Sequence, residues 1–517
     1  MRARVVLMIV ATSSLVLSTA PASALVPDAS LAVSPQVGPP TTKVTLTGAG
    51  FQPNEAVSVT FDGAPVGQVS ADGHGGFHTA KRVPRNAKPG DHAFVATGLA
   101  SGISAQAGYL VRTDWTQFRF DSNRTGFQPF ENVLTPANVP LMQLDWQAQL
   151  GTIVNYSSPA VVNGVVYIGS SDGVLWAFPA EGCGTDFCVT PLWKSTSLTQ
   201  IVDSPVVADG MVFIGSQTSF DDNDGKLNAF AAGGCGQPEC PPLWQGLAGD
   251  ESILHSSPAV ANGVVYVASF DHRLYAFDED GCGQPLCDPL WSGLTDGTIE
   301  SSPTVSGGVV YVGSDDGHLY AFDADGCGQG ECPPLWKGAI GYPVFDSSPA
   351  VANGTVYIGS QHALAAFPAG GCGQAVCQPL WLGQYQEQFF GGSPAIAEGR
   401  VYIGLENGLG VFAAAGCGQA VCDPLWLGFG SGFQAVVASS PTVAHGVVYA
   451  GRNTGEVLAW KAAPCGQFMC SEIWKGMTKH PLVTSSPTVV NGKLYIGSAD
   501  TIFPESQRGR LYVFDVP

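Results

Sequence analysis

Seven copies of Cys-Gly-x-x-x-Cys recur at intervals of roughly 46 residues, and together they use all 14 cysteines. The pairs are Cys183/Cys188, Cys235/Cys240, Cys282/Cys287, Cys327/Cys332, Cys372/Cys377, Cys417/Cys422 and Cys465/Cys470. The segment around them recurs eight times, marked by a Ser-Pro step at Pro159, Pro205, Pro258, Pro303, Pro349, Pro394, Pro441 and Pro487. A repeat of this period built from short strands constrains the chain to a ring of similar sheets, a β-propeller.

The unit at 302–337 divides into apolar runs at 303–305, 309–314, 318–322 and 334–337, separated by turn residues. In most copies the first two runs meet at a turn ending in Gly, such as Asn163-Gly164, Asn262-Gly263 and Asn491-Gly492. Such dipeptides suit type I′ hairpins, which need positive φ at both positions. A blade therefore reads as four antiparallel strands, A innermost to D outermost.

Strand D carries a Trp, at Trp146, Trp193, Trp244, Trp291, Trp336, Trp381, Trp426 and Trp474. The first of these precedes any A strand, and the last repeat stops after its C strand at 511–515. Residues 144–150 are thus expected to complete the C-terminal blade and close an eight-bladed ring. Seven intact C–D connections remain, matching seven cysteine pairs. Closure of this kind removes open sheet edges.

A chain of 517 residues has room for a second domain. Residues 1–24 read as a secretory signal: Arg2 and Arg4 precede the apolar run 5–10, and Ala22-Ser23-Ala24 fits a cleavage site. That run is well short of the roughly 20 residues a membrane span needs, and no later stretch reaches it. The expectation is an exported, soluble, extracellular protein. Export permits disulfides, and pairing within each hexapeptide is the simplest connectivity of many. Zinc is the other use of such cysteines, but it needs two pairs to converge, and separate blades hold them apart. A disulfide across so short a loop stabilises by about 2 kcal/mol. Each pair is expected to staple the outer hairpin of its own blade.

Residues 26–112 contain no cysteine and no copy of the repeat. Period-two runs at 44–47 and 57–61, with turn clusters at 72–76 and 88–91, suggest a small β-sandwich. The strings VTLTGAGF at 44–51 and VSVTFDG at 57–63 resemble bacterial immunoglobulin-like modules, which implies a spacer or adhesive unit. The propeller is expected over 113–517, with residues 114–140 wrapping onto the ring before its first strand.

The repeat core SSPAV-x-NG-VVY-x-GS-x-DG-x-L-x-AF resembles the pyrroloquinoline-quinone (PQQ) repeat of quinoprotein-dehydrogenase-like propellers. WTQFRFDSNRTG at 115–126, then Asn138-Val139 and LDW at 144–146, resembles the segment leading into those rings. The resemblance covers about 400 residues and implies that the D-strand Trp residues pack between blades. Quinone-dependent dehydrogenases of this kind hold calcium with acidic and amide side chains, stack the quinone on a Trp, and carry adjacent cysteines. Other members bind no cofactor and scaffold protein assembly. Here no two cysteines are adjacent, Trp176 and Trp460 fall in C strands where packing explains them, and no calcium-ligand set maps by motif. Non-catalytic binding or scaffolding is the expected role. The alternatives are PQQ- and calcium-dependent oxidation of an alcohol or sugar, and carbohydrate binding through aromatics such as Tyr156 and Phe390.

Comparing internal copies shows where a site would lie. The position three before each strand-A Pro varies: Tyr156, Val202, His255, Glu300, Asp346, Gly391, Ala438, Thr484. It sits where the D–A loop enters the innermost strand, at the channel mouth. The B–C turns open on the same face and bring His272, Arg273, His318 and His362 nearby. His255, Glu300 and Asp346, from successive blades, form a set able to bind a metal or move a proton. The plainer reading is that channel residues face water and drift between repeats. Asp221 and Asn223, in an insertion of the second blade, match part of a calcium loop that lacks its closing glutamate. The formal net charge of −20 argues against nucleic acid and anionic lipid as partners, and leaves extracellular protein or carbohydrate.

Overall fold

The computed structural model describes residues 29–152, 154, 156–217, 225–253, 255–385, 392–406, 408–430, 439–478, 485–498 and 509–517. The signal segment, Asp221, Asn223 and Phe390 lie outside them. Regular structure among the described residues is β, apart from one 3-10 turn at Val139–Leu141. Two compact units result: residues 29–85 with Gly90–Leu110, and Asn86–Pro89 with Val111–Pro517.

The first unit contains a three-stranded sheet (Ser30–Ser34, Lys43–Ala49, Phe77–Arg82) and a five-stranded sheet. Its period-two runs alternate as a two-layer packing requires. Val44, Leu46, Val57, Val59 and Phe61 are buried, while Lys43 and Thr47, on either side of Val44 and Leu46, face out.

Among the described residues, the second unit holds eight sheets arranged as a ring. The first blade runs Ala160–Val162, Val165–Ser170, Val174–Pro179 and Trp193–Ser195. The last takes its outer strand from the other end of the sequence. Gln143–Gln149 pairs antiparallel with Arg510–Asp515, from Gln143 opposite Asp515 to Gln149 opposite Arg510, with a register shift between Leu144 and Trp146.

The Ser-Ser-Pro entry to strand A explains how the ring holds. The second Ser of each blade donates its backbone N–H to the second Ser hydroxyl of the next, at 2.8–3.1 Å. The chain of bonds runs from Ser158 through Ser204, Ser257, Ser302, Ser348, Ser393, Ser440 and Ser486 back to Ser158. The first Ser works within its own blade: Ser301 Oγ, for example, accepts the Gly313 N–H of strand B at 3.1 Å. Burial of these groups makes their pairing obligatory.

All seven disulfides form within their hexapeptides, as expected, but their role differs from the staple that the sequence suggests. The two ends of each bridge are not equivalent. The first cysteine of every loop is exposed, whereas Cys188, Cys240, Cys287, Cys332, Cys377, Cys422 and Cys470 are only 0–5% exposed. Each of these second cysteines lies in a short strand that pairs in parallel with strand D of the preceding blade. Cys188 stands opposite Ala148 of the closing blade, Cys240 opposite Ser195, and Cys287 opposite Gly246. Cys332 stands opposite Gly293, Cys377 opposite Gly338, Cys422 opposite Gly383 and Cys470 opposite Gly428.

The physical reason is burial against the neighbour's Trp. Cys188 shares a buried cluster with Trp146, Cys240 with Trp193, Cys287 with Trp244 and Cys332 with Trp291. The same holds for Cys377 with Trp336, Cys422 with Trp381 and Cys470 with Trp426. Seven sheets therefore gain a fifth strand from the next blade, and the loop clips blade to blade rather than stapling its own hairpin. The Gly before the loop allows this approach: a Cβ on Gly326 would sit 2.6 Å from Trp291. Seven loops leave an eighth junction, where the Trp474 indole N–H donates to the Met142 carbonyl at 2.9 Å. Val139 and Met142 pack beside Trp474 in one buried cluster.

The stretch 113–128 closes one end of the channel. Inner-strand amides of Val161, Val207, Val305, Val351, Ile396 and Val443 donate to its carbonyls at 2.7–2.9 Å, and Val260 donates to Gln117 Oε1. Two fully buried guanidiniums pin it. Arg119 donates to the carbonyls of Pro394 and Pro441, and Arg124 to those of Ser257, Pro258, Pro303 and Phe118. Burial pulls both down to about 9, which leaves them cationic at neutral pH.

Candidate functional site at the open end of the channel

Strand A is only three residues long, and residues 113–128 engage its middle residue. The variable position lies five residues upstream of that contact in the first blade, at the opposite end of the inner strands. Tyr156 and His255 occupy it with φ of 61° each, a left-handed turn of the backbone just before the Ser-Ser-Pro entry. The Tyr156 phenol and His255 imidazole stack, with ring centroids 3.6 Å apart and planes 20° from parallel.

Two carboxylates from the next blades converge on the same imidazole. His255 Nδ1 is 3.1 Å from Glu300 Oε2 and 2.7 Å from Asp346 Oδ1. Only Glu300 meets hydrogen-bond geometry, so Asp346 is an ion-pair partner whose Oδ1 is buried without a donor. Burial works against charge on the imidazole, but Asp346 and Glu300 override it and hold the group up at about 9. Burial raises the Glu300 carboxyl, the Asp346 charge adds to the rise, and His255 opposes it. Burial, then the charges of Asp346 and Glu300, push the Tyr156 phenol upward as well.

The sequence reading missed Asp203, although it stands where six other blades have Ser and the remaining one Gly. Its Oδ2 replaces the Ser hydroxyl and accepts the Gly215 N–H at 2.7 Å. The residue is 1% exposed, Oδ1 has no partner, and burial raises the carboxyl well above its ordinary range. The break in the Ser pattern was the available signal.

None of the four other candidates adds a donor atom to this cluster. Arg273 pairs with Glu331 of the neighbouring cysteine loop, at the outer edge of the sheets. His318 stays with Asp316 at 3.3 Å and meets Tyr320 edge-on. His362 meets Tyr342 edge-on at 5.1 Å, and the His272 carbonyl accepts from Thr295. The reason is geometric: B–C turns stand further from the axis than the D–A entry, by strand spacings of roughly 4.8 Å each.

Three comparisons with known proteins bear on this ring. A repeat-family profile described as outer membrane protein assembly factor BamB matches residues 241–329. BamB from Moraxella catarrhalis superposes with a TM-score of 0.52 at 16% identity, covering 72% of this chain and 99% of that one. Quinohemoprotein alcohol dehydrogenase from Comamonas testosteroni gives 0.57 at 13% identity, covering 78% and 80%. The ring has the β-propeller fold of these structures, and the repeat profile matches within it. The computationally designed Ika8 protein shares the architecture at 14% identity and a TM-score of 0.52, covering 72% of this chain and 99% of that one. No curated protein matches the chain.

The convergent residues of this propeller do not form a quinone–calcium seat. Calcium takes about six to eight oxygen ligands, whereas the cluster presents an imidazole nitrogen and two carboxylates. Tyr156 and His255 cover each other's faces, which also narrows the room for a sugar ring on Tyr156. Trp176 stacks on Phe178 and donates to Ser170, and Trp460 is fully buried and donates to the Phe429 carbonyl. Both are held by packing, Trp176 within its own blade and Trp460 against strand D of the preceding one, as the sequence reading expected of C-strand positions.

Proposed function

We propose that this is an exported, non-catalytic binding or scaffolding protein that meets its ligand at the channel mouth. One contrast carries the reading. At one end of the inner strands, seven blades each donate a strand-A amide to residues 113–128, six to backbone carbonyls and one to the Gln117 side chain, which covers that end. At the other, chemistry changes from blade to blade: Tyr156, Val202, His255, Glu300, Asp346. Uniform contacts serve architecture, whereas variation between otherwise equal repeats is where recognition is written.

Seven disulfides suit an oxidising compartment. No helix among the described residues is long and apolar enough to cross a membrane. The match to an assembly-factor family favours a protein as the partner. The likeness to a quinohemoprotein alcohol dehydrogenase supports the opposing enzyme reading, and the donor set at the mouth disfavours it.

Incubation with PQQ and calcium followed by gel filtration separates the two readings. Quinone absorbance is expected to leave the protein, with no reduction of an electron-accepting dye by alcohols or sugars. Retained quinone together with dye reduction overturns the binding reading.

A further inference from the structure

We propose that His255, Glu300 and Asp346 form a seat for one divalent ion of the zinc class. The inference goes beyond the binding role and does not depend on it. One donor atom from each residue lies within 4.8 Å of the other two, although they come from three successive blades. Tetrahedral donors about 2.0–2.2 Å from a shared ion stand roughly 3.3–3.6 Å apart, so the 2.7 Å and 3.1 Å contacts of His255 Nδ1 with Asp346 and Glu300 need open by less than about 1 Å to admit one.

The cluster carries more acceptors than donors. His255 Nδ1 brings one proton to two carboxylates, and Asp346 Oδ1 is buried with no hydrogen-bond partner. One further carboxylate oxygen, Asp315 Oδ1, is also buried and unpartnered. Burial raises the Asp315 carboxyl and the charge of Asp346 adds to the rise. Buried carboxylate oxygens without donors are costly, and a cation satisfies several at once.

Charge balance points the same way. An imidazolium with two carboxylates leaves one net negative charge. A divalent ion that takes the Nδ1 position, its proton passing to water, leaves none. The donors are preorganised, because stacking on Tyr156 fixes the imidazole plane and the serine ring fixes the three chain entries relative to one another. An imidazole nitrogen among carboxylates selects zinc, cobalt or nickel over calcium.

The test titrates the full chain, stripped with a chelator, with zinc chloride in a calorimeter, alongside thermal melts. One zinc per chain at micromolar affinity or tighter is expected, with a rise in melting temperature. Calcium at equal concentration should leave the melt unchanged. His255→Ala and Glu300→Gln should each weaken zinc binding at least tenfold and remove the melting shift. Glu300→Gln keeps the side chain's size, so it decides the matter if His255→Ala does not fold. No heat and no shift at millimolar zinc, binding untouched by Glu300→Gln, or calcium matching zinc each overturn the proposal. None of these readouts involves a partner, so their failure leaves the binding role standing.

Discussion

Ser486 donates its backbone N–H to the Ser158 hydroxyl at 2.8 Å across 328 residues of chain, and this bond shuts the circle of eight. Both residues are about 4% exposed, so the amide has no water to turn to if its acceptor is removed. Ser158→Ala should lower stability by about 1–3 kcal/mol, the cost of orphaning a buried donor. Ser70→Ala, at an exposed strand position, should stay within about 0.5 kcal/mol. Urea midpoints of the two variants make the comparison. Equal midpoints would show that the circle adds nothing to blade packing.

Arg124 spans the closed end of the channel and answers four carbonyls from three segments. Arg124→Ala should cost on the order of 3 kcal/mol or more, since hydrogen bonds to a charged donor are worth about 1.5–3 kcal/mol each. Arg124→Lys should recover only part, because one ammonium cannot match a planar fork that reaches several directions. Protease cleavage within 113–128 should rise in parallel with the fall in urea midpoint. An Arg124→Ala protein with unchanged midpoint and cleavage would show that packing alone seats this segment.

Closure of the ring was legible because Trp146 precedes every strand A, so a count of strand types exposed the circular join. The convergence of His255, Glu300 and Asp346 was legible for the same reason, since equal repeats place equal positions around one axis. The serine circle was not: each partner sits one repeat away in an identical motif, and repetition hides which copy answers which. The same repetition hid the partner of Cys332 and its counterparts, since a Trp one blade back looks like the Trp of the same blade. Residues 113–128 contribute mainly backbone carbonyls, which leave no trace in side-chain identity. Arg273 was misplaced because a strand plan shows the face on which a turn opens but not its distance from the axis.

The cysteine loops make a prediction that separates a clip between blades from a staple within one. Replacing Cys327 and Cys332 with Ser removes a crosslink worth about 2 kcal/mol by chain entropy. The Ser292 amide, in the preceding blade, donates to the Gly330 carbonyl of this loop at 2.8 Å. Hydrogen exchange should therefore quicken at Ser292, which is not in the altered blade. Faster exchange confined to 318–337 would mean that the loop supports only its own hairpin.

Asp203 carries a pH signature that its Ser counterparts cannot have. Burial raises its folded-state carboxyl well above the ordinary value, so folding favours the protonated form. The unfolded chain ionises near the ordinary carboxyl value of about 4. As pH rises from there toward the folded-state value, ionisation stabilises the unfolded chain more than the folded one, and stability falls. Asp203→Ser keeps an acceptor for the Gly215 N–H, as Ser301 does for Gly313, and removes the titration. The variant should melt higher than the parent at pH 8, with the gain shrinking steadily toward pH 4. Melting curves at several pH values in chelator-containing buffer measure this directly. A gain of constant size across the range would locate the effect in packing or hydrogen bonding instead, and a gain that grew toward acid would reverse the assignment of Asp203 as a carboxyl held neutral by burial.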